Sequence, residues 1–202
     1  TITFQRGVAP DAGYVGVYDT FISNFGDTTA NYGISPTLEL RANDTRAALL
    51  RFDLSSLPPT ANIVSAEMSV HVDYKTNDFT MPVSLYRMVR PWNEMEATWI
   101  NATAATLWGL PGANSGGDRI TTAAASLVMS SANEWYQFDV TNLVRLWVQN
   151  PAENKGVILK AGTGPNVAYV LRSSEYFSAP AYRPKLTVQC YNCAPQGQYR
   201  IM

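Results

Sequence analysis

Short runs in which apolar and polar residues alternate, separated by Gly, Pro, Asn and Ser, make up most of this chain. The densest lies in residues 47–58, AALLRFDLSSLP, where Leu49, Leu50, Phe52 and Leu54 surround Arg51 and Asp53. Alternation followed by Ser55-Ser56 and Pro58-Pro59 predicts a strand that ends in a turn. A strand this apolar belongs in the middle of a sheet. Its two charges must be paired or face outward, because an unpaired buried charge is very costly.

Residues 62–74 alternate most cleanly. Met68, Val70, Val72 and Tyr74 share one face, and Glu67, Ser69, His71 and Asp73 share a wet one, as in a half-buried antiparallel strand. Residues 1–8 place Ile2, Phe4 and Val8 on an apolar face. Further strands are predicted over 14–22, 38–41, 83–89, 135–140, 156–160, 167–172 and 185–191. The period changes once: Leu143, Val144, Trp147 and Val148 have helical spacing over 142–149, after a capping Thr141 and before Asn150-Pro151. Residues 123–129 fit a helix or a strand, while 25–36, 91–108 and 111–118 read as loops. The pattern predicts an all-β chain, a jelly-roll β-sandwich with one or two short helices. It divides into an N-terminal extension (1–13), a sandwich domain (14–189) and a C-terminal tail (190–202).

Composition narrows the partners. The 202 residues carry a formal net charge of -1, only 15% are charged, and four are lysine. Nucleic acid or an anionic membrane would call for clustered Lys and Arg, so neither is expected. No segment approaches the ~20 apolar residues of a membrane-spanning helix. A chain rich in Thr, Ser, Asn and Tyr that starts at Thr1 suits a processed protein, extracellular or at the cell surface. The sequons at Asn43 and Asn101 are candidate glycosylation sites. Cys190 and Cys193 could form half a zinc site, a redox pair or a local disulfide. One His and no second Cys pair argue against zinc, no βαβ context supports redox chemistry, and a disulfide is expected.

Several segments, in order, resemble the DNRLRE or disaggregatase-related domains, one branch of which is carbohydrate-binding module family 96. They are Asp19-Thr20, Asn31-Tyr32-Gly33, Leu49 to Pro58, Ala61 to Met68, and Trp92-x-Glu94 with Thr98-Trp99. Phe138-Asp139-Val140-Thr141, Leu143-Val144-x-x-Trp147, Asn154-x-Gly156, Ser174-Glu175 and Arg183-Pro184-x-Leu186 continue the set. The resemblance implies a jelly-roll sandwich of extracellular proteins, often attached to enzymes or surface assemblies.

Candidate sites follow from residue chemistry. Trp92, Trp99 and Trp108 could stack on the sugar rings of a polysaccharide, or plug one end of the sandwich. Asp19, Asp27, Asn31 and Asp139 could supply oxygens to a structural calcium, or form turns. His71, on a polar face, is expected to be solvated. No Gly-x-Ser-x-Gly elbow is present. Glu94 and Glu96, close together on one loop, suit backbone anchoring better than the opposed carboxylates of a glycosidase. No enzyme is expected. Arg51 and Asp53, like Arg183 and Glu175, are expected in structural pairs. An alternating N-terminal strand before Pro10-Asp11-Ala12-Gly13 has the pattern of a donor strand that completes a neighbour's sheet. Such head-to-tail contacts build an extracellular filament, a homopolymer of this chain. Polysaccharide binding is the alternative.

Overall fold

The computed structural model describes residues 1–193. The tail expected over 190–202 therefore lies, from residue 194 onward, outside the described residues. The chain runs β1(Ile2–Phe4), β2(Val17–Ser23), β3(Thr37–Arg41), β4(Arg46–Phe52), β5(Asn62–Lys75), β6(Met81–Arg87), β7(Asn101–Thr103) and β8(Thr106–Leu107). It continues β9(Ala125–Met129), β10(Glu134–Asp139), α1(Thr141–Gln149), β11(Val157–Ala161), β12(Ala168–Arg172) and β13(Lys185–Tyr191). Short 3-10 turns occupy Pro151–Glu153 and Pro180–Tyr182. The segment left open between helix and strand, 123–129, is β9, because Met81 to Leu85 of β6 offer it a free edge.

All strands except the β7–β8 hairpin belong to one antiparallel sheet that curls into a sandwich. The first layer is built on β5, which carries β10 on one side and β13 followed by β12 on the other. The second layer is β2–β4–β11–β6–β9. The layers join through β3, which pairs with β12 and meets β4 only at Arg41 and Arg46. Met68, Val70 and Val72 of β5 face Ala48 and Leu50 of β4 and Val157 and Leu159 of β11 in one buried core.

The dense run at β4 now has a cause. Ala48, Leu50 and Phe52 point into the sandwich, whereas Ala47 and Leu49 point outward and are equally buried. Residues 88–120 fold over that outer face, so the strand is apolar on both sides and loses the alternation of a one-sided strand. Helix α1 begins one residue earlier than predicted, and Thr141 does not cap it. Its Oγ1 instead accepts the Ala66 N–H at 2.9 Å, tying the helix to β5, while the Asp139 carboxylate accepts the Thr141 N–H.

The N-terminal strand closes its own chain's sheet. Ile2, Thr3 and Phe4 pair with Val188, Thr187 and Leu186 of β13, and Phe4 is 0% exposed in the core. Val8 does not continue the strand. It lies in a turn closed by hydrogen bonds between Gln5 and Ala9, and is exposed. Of the candidate donor residues Ile2, Phe4 and Val8, the first two thus lie in this chain's own sheet, where Phe4 fills an apolar pocket. Phe4→Ala should therefore lower the stability of the isolated monomer by about 3 kcal/mol in urea unfolding, the cost of an aromatic-sized core cavity.

Candidate functional site

The three loop tryptophans are structural. Trp92 and Trp108 are each 4% exposed and Trp99 9%. Trp92 Nε1 donates to the Lys155 carbonyl at 2.7 Å and Trp108 Nε1 to the Thr98 carbonyl at 2.9 Å. With their faces on Leu49 and Ile158 they cover β4 and β11, so they offer no platform for a sugar ring. Asp118 organises this loop. Its carboxylate is fully buried and accepts the N–H groups of Gly109, Leu110 and Ser115. It also pairs with Arg90 Nε at 2.6 Å. Burial pushes its pKa up, but these donors prevail and hold it at about 2. Glu96 accepts the Ala104 N–H, so Glu94 and Glu96 serve backbone anchoring as the sequence suggested.

The four expected calcium ligands do not meet. Asp27 accepts the N–H and hydroxyl of Thr29 in an exposed turn. Asp139 holds the start of α1. Asn31 donates to the carbonyls of Glu94 and Ala97. Asp19 is gathered with Glu94 and Glu175 instead. The Asn31-Tyr32-Gly33 motif explains this: Asn31 clamps the loop, Tyr32 stacks on Phe21 at 4.0 Å, and a Cβ at Gly33 would lie 2.3 Å from the Glu94 carbonyl oxygen.

The charged pairs also differ from expectation. Arg51 has its guanidinium over the rings of Tyr18 (4.6 Å) and Trp92 (5.7 Å), and Asp53 accepts the Ser55 N–H. Covering aromatic rings, not a carboxylate, accommodate this cation. Glu175 pairs with Arg6, while Arg183 donates to the carbonyls of Tyr176 and Arg6. Arg51 and Asp53 line a cleft of about 450 Å³ with Tyr18, Ser55, Trp147 and Asn154.

The outer face of the first layer carries a different arrangement. Trp135 of β10 is the cross-strand neighbour of His71 on β5. Their rings meet edge-on at 5.1 Å, and Tyr182 also lies 4.6 Å from His71. Trp135 and Tyr182 are nearly parallel, 6.3 Å apart with 21° between planes. Lys185 Nζ sits 4.2 Å over Trp135, and Arg172 stacks on Tyr182 at 4.6 Å while pairing with Asp73 at 2.8 Å. His71 is thus the floor of an aromatic site and only 2% exposed, not solvated. Burial first, and then Arg172, lower its pKa, so its ring is neutral at pH 7. Tyr182 is 41% exposed and Trp135 half-buried, which leaves aromatic surface open to solvent. The same layer continues into a polar groove of about 330 Å³, lined by Glu67, Asp139, Thr187 and Gln189 among others.

A family model for carbohydrate-binding module family 96 matches residues 12–189, the whole sandwich except β1 and the last residues of β13. The chain belongs to carbohydrate-binding module family 96. Most of the segments that carry this membership are locks in the module's framework: Asn31 and Gly33, Trp92 and Glu94, Asp139 and Thr141, Asn154 and Gly156. None of them is an open aromatic. Trp135 and Tyr182 of this family 96 module were not among the candidate residues read from sequence, and Phe25, Tyr74, Phe79, Phe177 and Tyr191 are exposed as well. One signal was available for Trp135. In WYQFDV it alternates with Gln137 and Asp139, opposite the buried Tyr136 and Phe138, which places a tryptophan on a polar face. Tyr182 carries no such signal, because a 3-10 turn delivers it. Cys190 and Cys193 lie side by side at the end of β13, their Cα atoms 6.1 Å apart. Asn43 is exposed, and its side chain exchanges hydrogen bonds with Gly164; Asn101 is half-buried at the start of β7.

Proposed function

We propose that this family 96 module binds a polysaccharide on the outer face of its first layer, with Trp135 and Tyr182 as the stacking surface. The carrying observation is the pair of near-parallel, partly open aromatic rings on the outer face of the layer, with Lys185 over one ring and Arg172 over the other. Sugar rings present C–H faces that stack on aromatics, and their hydroxyls need hydrogen-bonding neighbours. Glu67, Gln137, Thr187 and Gln189 project from the same face of the layer. The role is binding without catalysis, a reading supported by Glu94 and Glu96 each anchoring a backbone amide. The Cys190–Cys193 pair, close enough for a disulfide, and membership of a carbohydrate-binding family support action outside the cell. Strand donation is not part of this reading, because β1 completes its own sheet.

Affinity electrophoresis through gels containing neutral or acidic polysaccharides tests this. The native module should be retarded in at least one gel. Trp135→Ala should weaken binding about tenfold or more, the loss of one stacking contact of ~1.4 kcal/mol, with the fold retained in circular dichroism. Retention of full affinity by Trp135→Ala and Tyr182→Ala would exclude this face.

A further inference from the structure

Three carboxylates from separate parts of the chain converge below the loop 88–120. Asp19 lies mid-strand in β2, between Val17 and Phe21, with its side chain on the core side and 1% exposed. Its Oδ2 accepts the Ser174 N–H at 2.8 Å, but its Oδ1 is buried with no hydrogen-bond partner. Glu94 and Glu175, both half-buried, each bring an oxygen, so that one oxygen from each of the three residues lies within 4.8 Å of the others. A buried charged oxygen without a donor is expensive, and three carboxylates at this spacing repel one another.

The protein's own cations do not balance the group. Arg6 meets Glu175 at 2.8 Å. Arg183 is occupied by two backbone carbonyls, and Arg51 lies on Tyr18 and Trp92. Burial above all, then Glu175, hold the Asp19 carboxyl well above the usual range, and burial raises Glu94 as well. One ion-paired cation, Arg6, thus faces three carboxylates, and the unfilled valence is at Asp19 Oδ1.

We propose that Asp19, Glu94 and Glu175 bind a calcium ion, with Asp19 Oδ1 as the central ligand. All three donors are carboxylate oxygens, which suit a hard cation and not zinc or copper. Oxygens within 4.8 Å of one another can all reach one ion at calcium's ~2.4 Å, and water completes the shell. Glu94 Oε1 accepts the Asp19 N–H, which leaves Oε2 for the ion. The cluster is preorganised: Asn31 fixes the Glu94 backbone, and Ser174 Oγ contacts both oxygens of Glu175. Bound calcium would tie β2, the tryptophan loop and the turn after β12 together at one point. This inference is independent of where the polysaccharide binds.

The test uses the full chain, stripped with EDTA and titrated with calcium chloride in a calorimeter and in thermal melts at pH 7. One site with a dissociation constant of about 10⁻⁴ M is expected, and a rise in Tm of about 5–10 °C at ~100-fold excess over that constant. Asp19→Asn and Glu175→Gln should each abolish the calcium-dependent rise. Should either variant fail to fold, Glu94→Gln, on a partly exposed side chain, should weaken calcium binding at least tenfold. No heat and no rise for the native chain would overturn the proposal. So would a rise that survives both substitutions. In the former case Asp19→Asn should be at least as stable as the native chain, since the carboxylates would then share a proton.

Discussion

Asp118→Ala should lower stability by about 4 kcal/mol and Tm by about 10 °C, because it strips a fully buried anion from at least four donors at once. The N–H groups of Gly109, Leu110 and Ser115 would lose their acceptor, and Arg90 its partner. The loop 88–120 would then cover Leu49 and Ile158 less well, and the second core would open to water. The same carboxylate gives a pH signature. Its pKa is about 2 in the folded chain, against an ordinary value of 3.8. A lowered folded-state pKa means the anion stabilises the fold fully above pH ~4, and that stability is lost as pH falls toward 2. The contribution is about 2 kcal/mol, and Asp118→Asn should flatten this part of the stability–pH curve. Urea unfolding at pH 6, 4 and 2.5 would check both statements; an unchanged acid limb in Asp118→Asn would contradict them.

Gly156→Ala should cost on the order of 4 kcal/mol, a large effect for one methyl group. Gly156 adopts φ +76°, and a Cβ there would lie 2.2 Å from the Leu50 carbonyl oxygen and 2.8 Å from Arg51 Cβ. Both the left-handed backbone and the backbone clash oppose any side chain. The adjacent Asn154 reinforces the approach, since Nδ2 donates to the Phe52 carbonyl and Oδ1 accepts the Gly156 N–H. Gly26 is the control. It has φ +87° with nothing within 4 Å of a Cβ, so Gly26→Ala should cost only ~1–2 kcal/mol of backbone strain. Equal midpoints for the two variants in urea would show that the contact at Leu50 does not matter.

Much of the fold was readable because alternation with period two needs only local information. Residues 62–74 and 185–191 became β5 and β13 almost to the residue, and 142–149 became α1. Where reading failed, a distant segment intervened. Parity turned Glu67 and Asp73 of β5 toward solvent, yet Ser69 and His71 on the same face are buried and Tyr74 on the other is exposed; Trp135 and Tyr182, more than 60 and 110 residues away in sequence, close over His71. Trp92, Trp99 and Trp108 look the same in sequence whether they stack on a sugar or seal a core. Only the outward-facing Leu49 and Ile158 beneath them decide between the two. Of the four residues the sequence offered for calcium, Asp19 lies in the carboxylate cluster, and its partners there were not among the other three. Glu94 and Glu175 come from loops whose path no residue pattern specifies.

The residues of 47–58 illustrate the division. By themselves they determine a central strand, the turn that follows it, and, with Asn31, Trp92, Asn154 and Gly156, membership of a carbohydrate-binding family. These follow from backbone preference and from motifs that lock neighbouring segments, which are local. The tertiary structure alone decided that both faces of this strand are covered, that Arg51 rests on aromatic rings and not on an acid, and that Ile2 to Phe4 close their own sheet. Those outcomes depend on which surfaces meet. Burial and charge pairing are energies of contact between parts of the chain far apart in sequence, so they exist only once the sandwich has closed.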